Sequence, residues 1–168
     1  MHLLIIDDEP TNLKLLNVQL AAEGHTVVEA GNGVEALQVL AREGVDGVIS
    51  DILMPDMDGF RLCLEIRKNE KFSTLPFIFY TSTYSSPQDR QLANTVGADD
   101  YLSKPSSTHA ILRALNDAMQ RTRPRIAAVA AQRDESYVLK QYNASLVRKL
   151  EQRNTELEQT IRNLRIAH

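Results

Sequence analysis

The chain contains one cysteine, Cys63, so no disulfide can form within it and a reducing compartment suits it. No apolar run approaches the ~18 residues that a membrane span needs. The N-terminus, Met1-His2-Leu3-Leu4-Ile5-Ile6-Asp7, lacks a basic start, and its apolar stretch is too short for a signal peptide. Together these absences predict a cytoplasmic protein with no membrane partner. His2, His25, His109 and His168 show no ligand spacing, and none has the setting of a phosphodonor. After Pro124 there is no glycine and no further proline, so nothing there punctuates a helix.

What is present suits one compact domain with an extension. The 168 residues are 43% hydrophobic and 24% charged, ordinary values for a chain that buries a core. The formal charge of −3 hides a division. Residues 1–121 carry 10 Lys or Arg against 17 Asp or Glu, a charge of −7, and residues 122–168 carry 9 against 5, a charge of +4. An acidic body and a basic tail make two units, 1–121 and 122–168. The tail's basic residues are interleaved with acids, so it is not a nucleic-acid arm, and no helix-turn-helix pattern follows the body.

The body alternates between two periods. Short β-rich runs fall at 3–6, 26–29, 47–50, 76–80 and 100–102. Between them lie amphipathic stretches that predict helices: Leu13, Leu16, Val18 and Leu20 in the first; Val34, Ala36, Leu37 and Leu40 in the second. Phe60, Leu64 and Ile66 or Arg67 mark the third, residues 87–96 the fourth, and Ile111, Leu112 and Leu115 the fifth. Strands alternating with helices imply crossover connections and a parallel sheet covered on both faces. Leu3-Leu4-Ile5-Ile6 is apolar throughout, as a strand buried on both faces should be. Five such units predict an α/β, doubly wound (βα)5 domain.

The tail has the composition of a long helix, with Pro124 suited to its first turn or to a kink. Val147, Asn154 and Ile161 are seven apart, and so are Leu150, Leu157 and Leu164. They fill a and d positions of a coiled-coil seam. Leu139, Tyr142 and Leu146 run in another frame, so the steps near Leu146 form a stutter. Asn154 at an a position favours a parallel, in-register dimer. The expectation is a homodimeric coiled coil, the alternative a single surface helix packed on its own domain.

In a doubly wound sheet, ligands bind beyond the C-terminal ends of the strands. Asp7, Asp8 and Glu9 follow the first run, Asp51 the third, Thr81 and Ser82 the fourth, and Ser103, Lys104 and Pro105 the fifth. Three aspartates together stay ionised when a cation sits among them. An all-oxygen set favours Mg²⁺. Lys104 and Thr81 add an ammonium and a hydroxyl, completing a cradle for a phosphoryl group, with Asp51 as its nucleophile. Each residue alone has a plainer role. The first acids could cap a helix begun by Pro10, Asp51 could cap a turn, Thr81 could end a strand, and Lys104 could be a solvated charge. Their convergence from four strand ends favours the cradle. Cys63, Phe77, Phe79 and Tyr80 read as core, and Tyr84 as loop or switch surface.

Five strings carry a resemblance: Ile5-Ile6-Asp7-Asp8-Glu9-Pro10, Asp51-Ile52-Leu53-Met54-Pro55-Asp56-Met57-Asp58-Gly59, Thr81-Ser82, Gly97-Ala98-Asp99-Asp100-Tyr101 and Lys104-Pro105. With them, residues 1–121 resemble the receiver domains of two-component response regulators. The resemblance implies a flavodoxin-like fold with strand order 2-1-3-4-5. It implies that Asp51 accepts phosphate from a histidine kinase or phosphotransfer protein. It implies Mg²⁺ held by Asp8, Asp51 and the Leu53 backbone carbonyl, with Asp7 acting through water. Lys104 and Thr81 would bind the phosphoryl group, Thr81 and Tyr101 would act as switch residues, and the Lys104–Pro105 bond would be cis. Leu53 offers no side chain to orient an attacking water, which predicts slow or ordinary autodephosphorylation.

The tail resembles signalling helices that join receivers to output modules, through the string 152–158. The expectation is a non-enzymatic phosphoacceptor passing its state through a coiled coil to an output module beyond His168. Two alternatives compete with it. One is a pseudo-receiver adaptor whose coiled coil is itself the output. The other is an Asp-dependent phosphatase like the haloacid dehalogenases, disfavoured because residues 51–53 lack that family's paired aspartates.

Overall fold

The computed structural model describes residues 1–82, 87–120 and 135–166. Five strands alternate with five helices: β1 (His2–Ile6), α1 (Pro10–Ala22), β2 (Thr26–Ala30), α2 (Gly33–Arg42), β3 (Gly47–Ser50), α3 (Gly59–Lys68), β4 (Phe77–Thr81), α4 (Pro87–Val96), β5 (Asp100–Ser103) and α5 (Thr108–Met119). A separate long helix, α6, spans Glu135–Ile166. The strands form one parallel sheet in the order β2-β1-β3-β4-β5, the expected flavodoxin-like arrangement.

Side chains of a strand alternate between faces, and this divides the core in two. Leu4, Ile6, Val48, Phe77 and Phe79 face the layer of α2, α3 and α4. Leu3, Ile5, Ile49 and Ile78 face α1 and α5. β3 and β4 are buried along their whole length, and β1 beyond His2, which is why their sequences carry no polar alternation. Four strands differ by a residue from the expected runs, β1 beginning at His2. β2 includes Ala30, β4 is 77–81 rather than 76–80, and β5 reaches Ser103. Thr81 is therefore the last residue of β4, not a residue after it.

Helix starts follow local chemistry. Asn32 caps α2, its side chain accepting from the Glu35 N–H at 2.9 Å while Glu35 accepts from the Gly31 N–H at 2.8 Å, a reciprocal capping pair. Asp58 caps α3 and Ser107 caps α5. Pro10 opens α1, but Glu9 at its N-cap makes no side-chain cap bond. The buried stripe of α1 is Leu13, Leu16 and Leu20. Val18 and Val34, expected on apolar faces, are exposed. Val18 lies five residues after Leu13, about 140° round the helix.

α6 lies against α4. Val147, Leu150, Leu157, Ile161 and Leu164 are all exposed along it. Among the described residues α6 is one helix, and the expected coiled coil would pair it with the same helix of a second chain. The expectations for Pro124 and Tyr84 lie outside the described residues, as do the side chains of Leu139, Tyr142 and Leu146.

Candidate functional site

The register of the sheet gathers the chemistry. Ile6 pairs with Ser50, Ser50 with Phe79, and Thr81 with Ser103, so β1, β3, β4 and β5 end at one edge. Asp7 and Asp51 follow β1 and β3, and Lys104 follows β5. The backbone ties these ends together: the Asp51 N–H donates to the Ile6 carbonyl at 2.8 Å, and the Lys104 N–H to the Thr81 carbonyl at 2.9 Å.

Carboxylate oxygens of Asp7, Asp8 and Asp51 lie within 4.8 Å of one another. Asp7 and Asp51 are buried and Asp8 is exposed. Lys104 Nζ donates to Asp7 Oδ2 at 2.5 Å and reaches Asp51 Oδ2 at 3.5 Å. Asp7 Oδ1 accepts the Glu9 N–H at 2.9 Å, and Asp51 Oδ1 accepts the Ile52 N–H at 2.7 Å. Both Asp7 oxygens are thus engaged by the protein, while Asp8 faces solvent. The Lys104–Pro105 bond is cis, as expected.

The electrostatics are those of an undercompensated acid cluster. Partial burial, then the charges of Asp7 and Asp51, raise the Asp8 pKa above that of an ordinary aspartate, against its own backbone hydrogen bond and the Arg153 charge. For Lys104, burial opposes the ammonium, but attraction to Asp51 and Asp7 outweighs it and holds the pKa above the ordinary lysine value. One ammonium among three carboxylates leaves room for a hard cation with oxygen ligands. The residues present fit Mg²⁺.

Thr81 is 1% exposed at the end of β4. Tyr101 is buried, its ring edge-to-face with Phe79 at 6.3 Å and under the Arg90 guanidinium at 5.5 Å. Its hydroxyl has no hydrogen-bond partner among the described residues, and burial raises its pKa. The Leu53 side chain is buried and offers nothing polar to the site.

Two supports were not foreseen. Tyr80, read as core, lies beneath the site: its ring is 5.5 Å from Lys104 Nζ, and its hydroxyl accepts the Ser106 N–H at 3.0 Å. Gly59 lies behind Asp51, where a Cβ would sit 2.3 Å from the Asp51 carbonyl oxygen. Beside the acids opens a cavity of about 400 Å³, lined by Leu13 and Leu16 of α1 and by Asp51, Tyr80, Lys104 and Pro105.

Known proteins share this arrangement. The family model of the response regulator receiver domain matches residues 3–116. The transcriptional regulatory protein GlrR of Escherichia coli K12 is 43% identical over 123 residues, 73% of this chain and 27% of that protein. The sensor histidine kinase RcsC of Salmonella typhi is 37% identical over 123 residues, 73% of this chain and 13% of that one. Among solved structures, the receiver domain of the Pseudomonas aeruginosa PAO1 sensor histidine kinase PA1611, with a magnesium ion coordinated in its active-site cleft, matches at a TM-score of 0.64 and 27% identity, covering 71% of this chain and 98% of that one. The chain spans about a quarter of GlrR and about an eighth of RcsC.

Proposed function

The chain belongs to the response regulator receiver domain family across residues 3–116, and from that premise we propose that it is a phosphorylation-controlled switch with Asp51 as the acceptor. The observation that carries this reading is the cluster of Asp7, Asp8 and Asp51 within 4.8 Å, bridged by Lys104. The donor is the phosphohistidine of a histidine kinase or phosphotransfer protein. Leu15 stands exposed on α1 at the cavity and offers that donor an apolar footing.

An Asp51 carboxylate oxygen attacks the phosphorus, the P–N bond breaks, and the imidazole leaves with the electron pair. The product is an aspartyl phosphate. Lys104, already poised 3.5 Å from Asp51 Oδ2, turns from carboxylate to phosphoryl oxygen, and Thr81 donates its hydroxyl to another. Asp8, Asp51 and the Leu53 carbonyl would hold Mg²⁺ directly. Asp7, with both oxygens occupied, acts through water. When bound, the ion neutralises charge that gathers on the phosphoryl oxygens. Tyr101, whose hydroxyl lacks a partner among the described residues, and Thr81 relay the change to α4 and β5. Catalysis in the enzymatic sense is not needed.

From there the state passes to α6, whose exposed stripe pairs in a parallel coiled-coil dimer and leads to an output module. The test is acetyl phosphate with Mg²⁺, read by intact mass. The wild type gains one phosphoryl group and Asp51→Asn gains none. An unmodified wild type sinks the reading and leaves the adaptor alternative.

A further inference from the structure

The cavity beside the acids is larger than a phosphoryl group needs. At about 400 Å³ it has the size of a small-molecule site, which holds roughly 300–1,000 Å³ and sets apolar walls around a few placed polar groups. Its two ends differ. At one end stand Asp51 and Lys104, with 3.5 Å between Oδ2 and Nζ. The rest is walled by Leu13 and Leu16 of α1, Ile49 of β3 and Tyr80 of β4. All four are at most 9% exposed, so the core holds these walls in place. The Tyr80 ring is anchored further, because its hydroxyl accepts the Ser106 N–H at 3.0 Å. An imidazole ring reaching Asp51 would fill only part of this space.

A ligand that matches both ends carries a phosphoryl group at one and an apolar body at the other. The lining also restricts how the two are joined. Among the described residues that line the cavity there is no histidine or cysteine, and its ammonium, Lys104, is committed to Asp7 and Asp51. No group there is placed to protonate a departing alkoxide, so a phosphate ester is a poor donor. A carboxylate needs no proton to leave. A pyrophosphate donor also leaves unprotonated, but its charged body does not match walls of leucine and isoleucine. An acyl phosphate, the mixed anhydride of a carboxylic acid and phosphoric acid, meets both conditions.

We propose that this cavity is an acyl-binding subsite, and that Asp51 takes phosphate directly from acyl phosphates whose apolar acyl group fills it. This rests on the phosphoacceptor reading above and names a small-molecule donor for the same site. An Asp51 carboxylate oxygen forms the new bond to phosphorus, the anhydride P–O bond breaks, and the acyl carboxylate leaves with the electron pair. Lys104 orients the phosphoryl end, and Leu13, Leu16 and Tyr80 cover the acyl end. Straight-chain acyl phosphates share one leaving-group chemistry, so their rates differ by how much apolar surface the cavity covers.

The experiment compares acetyl, butyryl and hexanoyl phosphate as donors to the 168-residue chain, with Mg²⁺ present, by the initial rate of labelling in intact mass. From acetyl to hexanoyl the rate should rise about tenfold, less than full burial of the added methylenes would give, because the cavity opens to solvent beside the exposed Leu15. ATP should not label. Leu16→Gln, which brings a polar group into the wall, should flatten the gradient. Asn12→Tyr should do the same by filling the cavity from a half-buried position on α1 that tolerates change. The hexanoyl-to-acetyl ratio is the readout, so damage common to both donors cancels. A binding measurement stands apart from the chemistry: saturation transfer from the protein to the terminal methyl of hexylphosphonate, which has no anhydride to cleave, should appear in the wild type and fade in Asn12→Tyr. Equal rates for the three donors, a gradient retained in both variants, or no transfer to hexylphosphonate overturns the acyl subsite while labelling by acetyl phosphate keeps the phosphoacceptor reading. No labelling of Asp51 by any donor overturns both.

Discussion

Gly59 is the residue that lets Asp51 sit where it does. A Cβ there would lie 2.3 Å from the Asp51 carbonyl, 2.9 Å from the Phe79 ring and 3.0 Å from Ile52 Cα. All three neighbours are fixed in the core, so the backbone of β3 must move instead. Gly59→Ala is expected to cost about 1–3 kcal/mol in urea unfolding. It should also slow acetyl-phosphate labelling by more than tenfold, because misplacing a reacting group is costly. Stability lost with labelling intact would reduce Gly59 to a packing role. Tyr80 is a gentler case. Tyr80→Phe keeps the ring beneath Lys104 but removes the acceptor of the Ser106 N–H. It should cost about 1 kcal/mol, measured by the same unfolding, and Tyr80→Leu should cost more and slow labelling further. The meeting of Asp7, Asp8, Asp51 and Lys104 at one sheet edge was legible in the sequence because residue type and strand-end position together define it. Tyr80 was not, since it alternates with Phe77 and Phe79 in an apolar run. The available signal was its hydroxyl, which a buried tyrosine normally satisfies.

At the scale of elements, α3 is tied to the rest of its layer by one buried cation. Arg67 donates to the carbonyls of Gly97 at 2.8 Å, Leu75 at 2.6 Å and Phe72 at 3.3 Å, and to Asp99 Oδ2 at 3.2 Å. Asp99 in turn accepts the Phe77 N–H at 2.9 Å. One guanidinium therefore joins the end of α3, the loop before β4 and the turn after α4. Arg67→Leu strands the Asp99 charge and three carbonyls and is expected to cost about 3–5 kcal/mol. Cys63, one turn earlier, supplies the readout. Its thiol is fully buried and burial pushes its pKa up to about 12, so it should resist alkylation until this layer opens. Labelling of Cys63 should be slow in the wild type and fast in Arg67→Leu. Equal rates would show that the clamp does not hold α3 in place. Sequence periodicity placed Arg67 near the apolar end of α3 but left it undecided against Ile66, and both are buried. Periodicity reports which face is covered. It does not report that a cation on that face meets the Phe72 and Leu75 carbonyls of the following loop and the distant Gly97 carbonyl. The shifted ends of β2, β4 and β5 have the same cause, because ladder pairing, not composition, sets where a strand stops.

Across the whole molecule, the fold was legible because its strands are apolar and its glycines punctuate them. The placement of α6 on α4 was not, since a repeating seam states what a helix can pair with and not where it rests. The charge of the molecule is likewise a property of the assembled edge. Metal-free, the folded chain holds Asp7, Asp8 and Asp51 together, and the unfolded chain does not. The Asp8 pKa is raised by folding, so its ionisation works against the folded state. That penalty is absent at pH below the unfolded aspartate value and grows as pH rises through the raised pKa, to be fully present at neutral pH. On the proposed reading, Mg²⁺ would bind the ionised cluster and reverse the penalty. At a concentration 100 times its Kd it should stabilise the fold by about 2.7 kcal/mol, raising the melting temperature by about 10 °C for a domain of this size. Protons compete for the same oxygens, so the increment should shrink as pH falls toward the raised Asp8 pKa, sooner than an ordinary aspartate would allow. Asp8→Asn should melt higher than the wild type without metal and gain little from Mg²⁺. Thermal unfolding at neutral and mildly acidic pH, with and without Mg²⁺, measures all of this. A melting temperature that ignores Mg²⁺, or an Asp8→Asn variant that responds as fully as the wild type, would show that the acid cluster does not hold the ion.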